Sequence, residues 1–77
     1  MVMFRDFVQR KTRALGLQGY AQNMTDGSLY VVAQGEEEHL QKLIEHLHKG
    51  PFLAKVARVD VEWGELEEPL SGFHIRY

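Results

Sequence analysis

Leu40, Leu43, Ile44 and Leu47 recur at i, i+3, i+4 and i+7. That stripe puts four apolar side chains on one side of an α-helix and leaves the other side polar. Glu36–Lys49 therefore reads as a helix that must lie against another apolar surface. Glu36, Glu37 and Glu38 occupy its first turn, where the helix dipole favours anions. Gly50-Pro51 stops it. A second helical period runs from about Met3 to Leu15, with Phe4, Phe7, Val8, Thr12 and Leu15 near one face. Arg10, Lys11 and Arg13 gather towards its C-terminal end and read as a solvated face. Gly16 follows as the residue that accepts the left-handed conformation after a helix.

Between the helices lie two short strand-like runs, Gly19–Met24 and Ser28–Gln34, joined by Thr25-Asp26-Gly27. Gly27 supplies the positive φ such a turn needs. Leu29, Val31 and Ala33 alternate with Tyr30, Val32 and Gln34, and both sets are fairly apolar. This predicts an inner strand, or one covered on part of its outer face. A further strand is predicted near Lys55–Trp63, with Val59, Val61 and Trp63 inward and Arg58, Asp60 and Glu62 outward. Gly64–Gly72 reads as an acidic loop and Phe73–Tyr77 as a short last strand. The order is α-β-β-α-β plus a terminal strand, with two helices on one sheet face.

Seventy-seven residues form one small domain, 1–77, whose stability is expected to be marginal. With 44% hydrophobic and 26% charged residues the chain is globular and not disordered. It has no cysteine, so no disulfide framework and no thiolate chemistry. No apolar run approaches the roughly 20 residues of a membrane span. Arg5 and Asp6 interrupt any signal-peptide pattern, and a cytoplasmic location is expected. A net charge of −2 gives no global attraction to nucleic acid.

Few residues carry chemistry on their own. Arg5, at the start of the first helix, stands beside free backbone N–H groups and the positive end of the dipole. That combination suits a phosphate or other oxyanion, while position alone favours a solvated Arg. Asn23 precedes the turn; its amide suits holding a water, or bonding its own backbone. His39 and His46 share a helix face but lie about 10 Å apart along it. No His pair has the i, i+4 spacing of a helical zinc site, so no metal is expected. Glu65, Glu67 and Glu68 read as a solvated loop without a calcium pattern. Tyr20, Tyr30 and Trp63 could stack bases, but the aromatic-basic motif of RNA-binding sheets is absent.

Taken together, several segments resemble the acylphosphatase family over essentially the whole chain. Val2-Met3-Phe4-Arg5 resembles the second half of the family's phosphate loop, which reads Val-Gln-Gly-Val-x-Phe-Arg. Gly19-Tyr20-Ala21-Gln22-Asn23, followed by Asp26-Gly27, is similar to its second motif, Gly-aromatic-x-x-Asn and a Gly-containing turn. Val31-Val32-Ala33-Gln34-Gly35 and Ile75-Arg76-Tyr77 resemble later segments. The resemblance implies a ferredoxin-like α/β sandwich of class α+β, with two helices on one face of a mostly antiparallel sheet. It also implies hydrolysis of carboxyl–phosphate anhydrides, without metal, cofactor or covalent intermediate. Catalytic roles would fall to Arg5, holding the phosphoryl oxygens, and Asn23, orienting the attacking water. Val2, Met3, Phe4 and Arg5 would form the phosphate cradle. The partner would be a small acyl phosphate or inorganic phosphate, with no nucleic acid and no membrane.

Two departures qualify these expectations. The family's first strand and the front half of its loop have no counterpart ahead of Val2, so the domain reads as N-terminally truncated. Activity is then open to impairment. The strands that would flank the missing one are expected to pair directly or through a homo-oligomer. Met3 stands at a family glycine, which is tolerable where its backbone needs no positive φ. The alternative to a hydrolase is a non-catalytic ferredoxin-like binding or interaction module.

Overall fold

The computed structural model describes residues 2–51, 56, 58–65 and 69–77. Helix α1 (Val2–Ala14) leads into β1 (Gln18–Asn23), β2 (Leu29–Gln34), α2 (Glu37–Lys49) and β3 (Phe73–Arg76). The two helices cover one face of a three-stranded sheet of order β2-β1-β3. β1 pairs with β2 antiparallel, from Gln18 with Gln34 to Asn23 with Leu29. It pairs with β3 in parallel, from Gly19 with Phe73 to Gln22 with Arg76.

The apolar stripes meet in one core. Phe7, Val8, Ala21 and Phe73 are buried together, with Phe4, Leu29, Val31, Leu47 and Ile75 packed around them. Alternation therefore assigns Ala21, Leu29, Val31, Phe73 and Ile75 to the helix-covered face. Tyr20, Tyr30 and Arg76 fall on the other face. There the Arg76 guanidinium lies 3.6 Å from the centroid of the Tyr20 ring, and Tyr20 lies beside Tyr30.

Helix α1 ends as its sequence predicts. Gly16 has φ +71°, its N–H donates to Arg13 O and the N–H of Leu17 donates to Thr12 O. These two bonds form a Schellman cap, and the buried Leu17 supplies its apolar contact. Thr12 is fully buried inside the helix, its hydroxyl donating to Val8 O at 2.7 Å. That bond satisfies a polar group that would otherwise cost about 1–3 kcal/mol.

Arg13 is exposed, as expected of a solvated face, and also anchors the helix. Its Nε and Nη2 both donate to Phe73 O, at 3.3 and 3.0 Å, and so tie α1 to β3. Lys11 leans over the Phe7 ring. The strand expected near Lys55–Trp63 is corrected where the chain is described. Residues 58–63 lie in no strand, and Val61 and Trp63 are 46% and 52% exposed. Lys55 and Ala57 lie outside the described residues, as do Glu67 and Glu68 of the acidic loop. Alternation alone does not make a strand; it needs a ladder partner. The outer edge of β2 pairs with no described strand, so β2 and 58–63 do not close on each other directly. No helix among the described residues is long and apolar enough to cross a membrane.

Candidate active site

The chain direction sets which residues can meet. α1 runs for 13 residues, about 20 Å at 1.5 Å per residue. A three-residue connection turns it into β1, which returns six residues, again about 20 Å at 3.3 Å per residue. The start of α1 and the end of β1 therefore share one end of the sandwich. Arg5 stands at the first and Asn23 at the second.

Tyr77 joins them. β3 runs parallel to β1, and Gln22 is level with Arg76, so the next step brings Tyr77 level with Asn23. Adjacent strands lie about 4.8 Å apart. Asn23 is two residues beyond the buried Ala21 and Tyr77 two beyond Ile75, so both point to the helix side. The Arg5 guanidinium lies over the Tyr77 ring, 5.2 Å from its centroid.

Arg5 is held close to the protein, its side chain 14% exposed. Its Nε is buried and has no hydrogen-bond partner among the described residues. Asp6 Oδ1 lies 3.6 Å away, near enough for an ion pair but too far for a hydrogen bond. The group is thus a largely buried cation with unspent donor capacity. The amides of Val2, Met3 and Phe4 open α1 and have no intrahelical acceptor. No acidic residue occupies this first turn to oppose an incoming anion.

The four cradle residues differ in what they offer. Phe4 turns its ring to the core, edge-on to Phe7 with centroids 6.1 Å apart, so it contributes only its amide. Met3 is helical and 59% exposed, and its backbone needs no positive φ. Asn23 is half-buried and closes β1 opposite Leu29. The turn beyond it is held locally. The N–H of Met24 donates to Ser28 O, and Gly27 has φ +91°. The N–H and hydroxyl of Ser28 both donate to Asp26 Oδ1, at 2.9 and 2.6 Å.

The two Ser28 bonds hold the Asp26 carboxyl below its ordinary pKa, the side-chain bond having the larger effect. A depressed carboxylate pKa adds stability above its unfolded value and loses it as pH falls through the folded one. Asp26→Asn should therefore lower stability at neutral pH and converge with the unmodified chain as pH falls through the folded pKa, which flattens the acid limb of the stability–pH curve. Urea unfolding at a series of acidic pH values checks this; an unchanged acid limb contradicts it.

A cleft of about 330 Å³ opens among Ala33, Gln34, Gly35, Leu40, Gly64 and Glu65. It lies at the opposite end of β2 from Asn23, because Gln34 pairs with Gln18 and Leu29 with Asn23. Its lining residues include no nucleophile and no cation.

The contacts of Tyr77 and Asp6 with Arg5 were not legible in the sequence. Tyr77 comes from the other end of the chain. Neighbours on a helix such as Arg5 and Asp6 do not ordinarily face each other.

The sequence model of the acylphosphatase family matches residues 1–75. The chain belongs to the acylphosphatase family. It is 50% identical over 74 residues to an acylphosphatase of Thermus thermophilus, covering 96% of this chain and 83% of that one. The fold of acylphosphatase from Bacillus subtilis superposes with a TM-score of 0.92 at 33% identity, covering 99% of this chain and 84% of that one. An acylphosphatase from Coxiella burnetii gives 0.88 at 36% identity, over 97% and 78% of the respective chains. These acylphosphatase neighbours identify the two helices and mixed sheet as a ferredoxin-like α+β sandwich.

Proposed function

We propose that this chain hydrolyses small acyl phosphates at the Arg5–Asn23 end of the sandwich. Membership of the acylphosphatase family supports the reaction class. The observation that carries the site is Arg5: a largely buried guanidinium with an unpartnered Nε, beside the free amides of an acid-free helix start. Such a group is a ready acceptor for a phosphoryl anion, binding through charge-assisted hydrogen bonds.

In this reading the phosphoryl oxygens rest against the Arg5 guanidinium and the amides of Val2, Met3 and Phe4. Asn23 approaches from β1 and holds a water through its amide, which both donates and accepts. The water oxygen forms a bond to phosphorus as the bond from phosphorus to the acyl oxygen breaks. That oxygen leaves with the electron pair as a carboxylate, and the water's protons remain with phosphate and solvent. A carboxylate is a good leaving group, so positioning and charge stabilisation suffice without a strong base. The step calls on no metal and no covalent intermediate.

Hydrolysis of an aryl acyl phosphate in heavy-oxygen water tests the direction of attack. The label should appear in inorganic phosphate. Label in the carboxylate would mean attack at the carbonyl carbon and would overturn this mechanism.

A further inference from the structure

Asp6 is the charged neighbour of Arg5 that the reaction does not use. Its Oδ1 lies 3.6 Å from Arg5 Nε, and its side chain is 56% exposed against 14% for Arg5. Consecutive helical residues diverge by about 100°, so helical spacing does not impose this contact; the two side chains turn towards each other. The contact is electrostatic and not a hydrogen bond. Asp6 thus offsets part of a buried positive charge without saturating its donors.

We infer that Asp6 is an internal anion that competes with the phosphoryl group for Arg5 and weakens anion binding at the head of α1. This rests on the Arg5 cradle described above. An anion seated on the amides of Val2, Met3 and Phe4 meets the Arg5 guanidinium as an attraction and Asp6, the next residue, as a repulsion. Asp6 keeps a water-facing side, so it can swing from Arg5 into solvent when a ligand arrives. Two unit charges about 6 Å apart in a half-exposed site interact strongly enough to change affinity about five- to tenfold. Inorganic phosphate, the product of the hydrolysis, is a small polyanion and feels the same repulsion. A carboxylate here keeps the product from being held and favours its release.

The experiment is a titration of the intact chain with inorganic phosphate, followed by amide shifts in the first turn of α1. Asp6→Asn is expected to lower the Kd about five- to tenfold at low ionic strength. The gain should shrink as salt is raised, because exposed charges are screened. Asp6→Glu, which keeps the charge, should stay close to the unmodified Kd, and Asp6→Ser should behave like Asp6→Asn. In an Arg5→Ala background the gain from Asp6→Asn should be clearly smaller than in the unmodified chain, since direct repulsion of the anion remains but there is no cation left to compete for. A full gain in that background would overturn competition for Arg5. Binding that is equal or weaker in Asp6→Asn would overturn the inference and leave the Arg5 cradle standing. No binding to either chain would overturn both.

Discussion

Gly19→Ala is expected to cost this domain most of its stability. Gly19 has φ +147°, where side chains are strained, and it is buried between both neighbours of β1. Its N–H donates to Gly72 O at 2.8 Å on one side, and it faces Ala33 on the other. A Cβ there would overlap the Val32 carbonyl oxygen and lie 2.8 Å from the Val32 carbonyl carbon and 3.0 Å from Ala33 Cα. All three are backbone atoms, so no side chain can move aside. The β1–β2 ladder would have to open at the centre of the sheet. We expect a loss of about 3–5 kcal/mol, out of a total of about 5–15 for a domain of this kind. That corresponds to a fall in Tm of roughly 15 °C or more, or loss of cooperative unfolding. Gly16→Ala is the control, since its φ of +71° is also positive but nothing lies within 4 Å of the new Cβ. It should cost only about 1 kcal/mol. Thermal unfolding followed by circular dichroism checks the pair; equal small shifts would contradict the packing account.

The second large effect concerns Arg5 and Asn23, whose substitutions should fail in different ways. Arg5→Ala removes the cation from the cradle, where charge is held in the bound state and grows in the transition state. It should lower kcat/KM by about 10²–10³-fold, the range for removing one preorganised donor. Phosphate affinity should fall with it. Asn23→Ala leaves the proposed cradle intact and removes the proposed holder of water. Its kcat should fall about 10²-fold or more while KM and phosphate affinity change little. Neither change strikes the core of Phe7, Val8, Ala21 and Phe73, so both chains should remain folded. A parallel rise in KM for both, with kcat retained, would assign the two residues to binding alone.

The helices and the β1–β2 pair were legible because each rests on a local signal. The stripe of Leu40, Leu43, Ile44 and Leu47 yields α2, and Gly16 marks the end of α1 with the cap it forms. Thr25-Asp26-Gly27 marks the turn that sets the β1–β2 register. The strand over 58–63 was misread because Val59, Val61 and Trp63 alternate without a ladder partner among the described residues. The Arg13 anchor was not legible because its partner, Phe73 O, is distant in sequence and carries no side-chain signature. For the site, Arg5 and Asn23 stood out only in combination with the rest of the family pattern. Their environment did not: the stacking of Arg5 on Tyr77 and its turn towards Asp6 arise from tertiary packing and side-chain rotamers. Sequence spacing encodes neither.

Arg5 and Asn23 are proposed to form one hydrolytic site. This is tested most directly by steady-state hydrolysis of an aryl acyl phosphate by the unmodified chain, Arg5→Ala and Asn23→Ala under identical conditions. The account predicts turnover by the unmodified chain and a loss of about two orders of magnitude or more in each variant. Equal rates in all three would contradict it and leave a ferredoxin-like module that binds without catalysing.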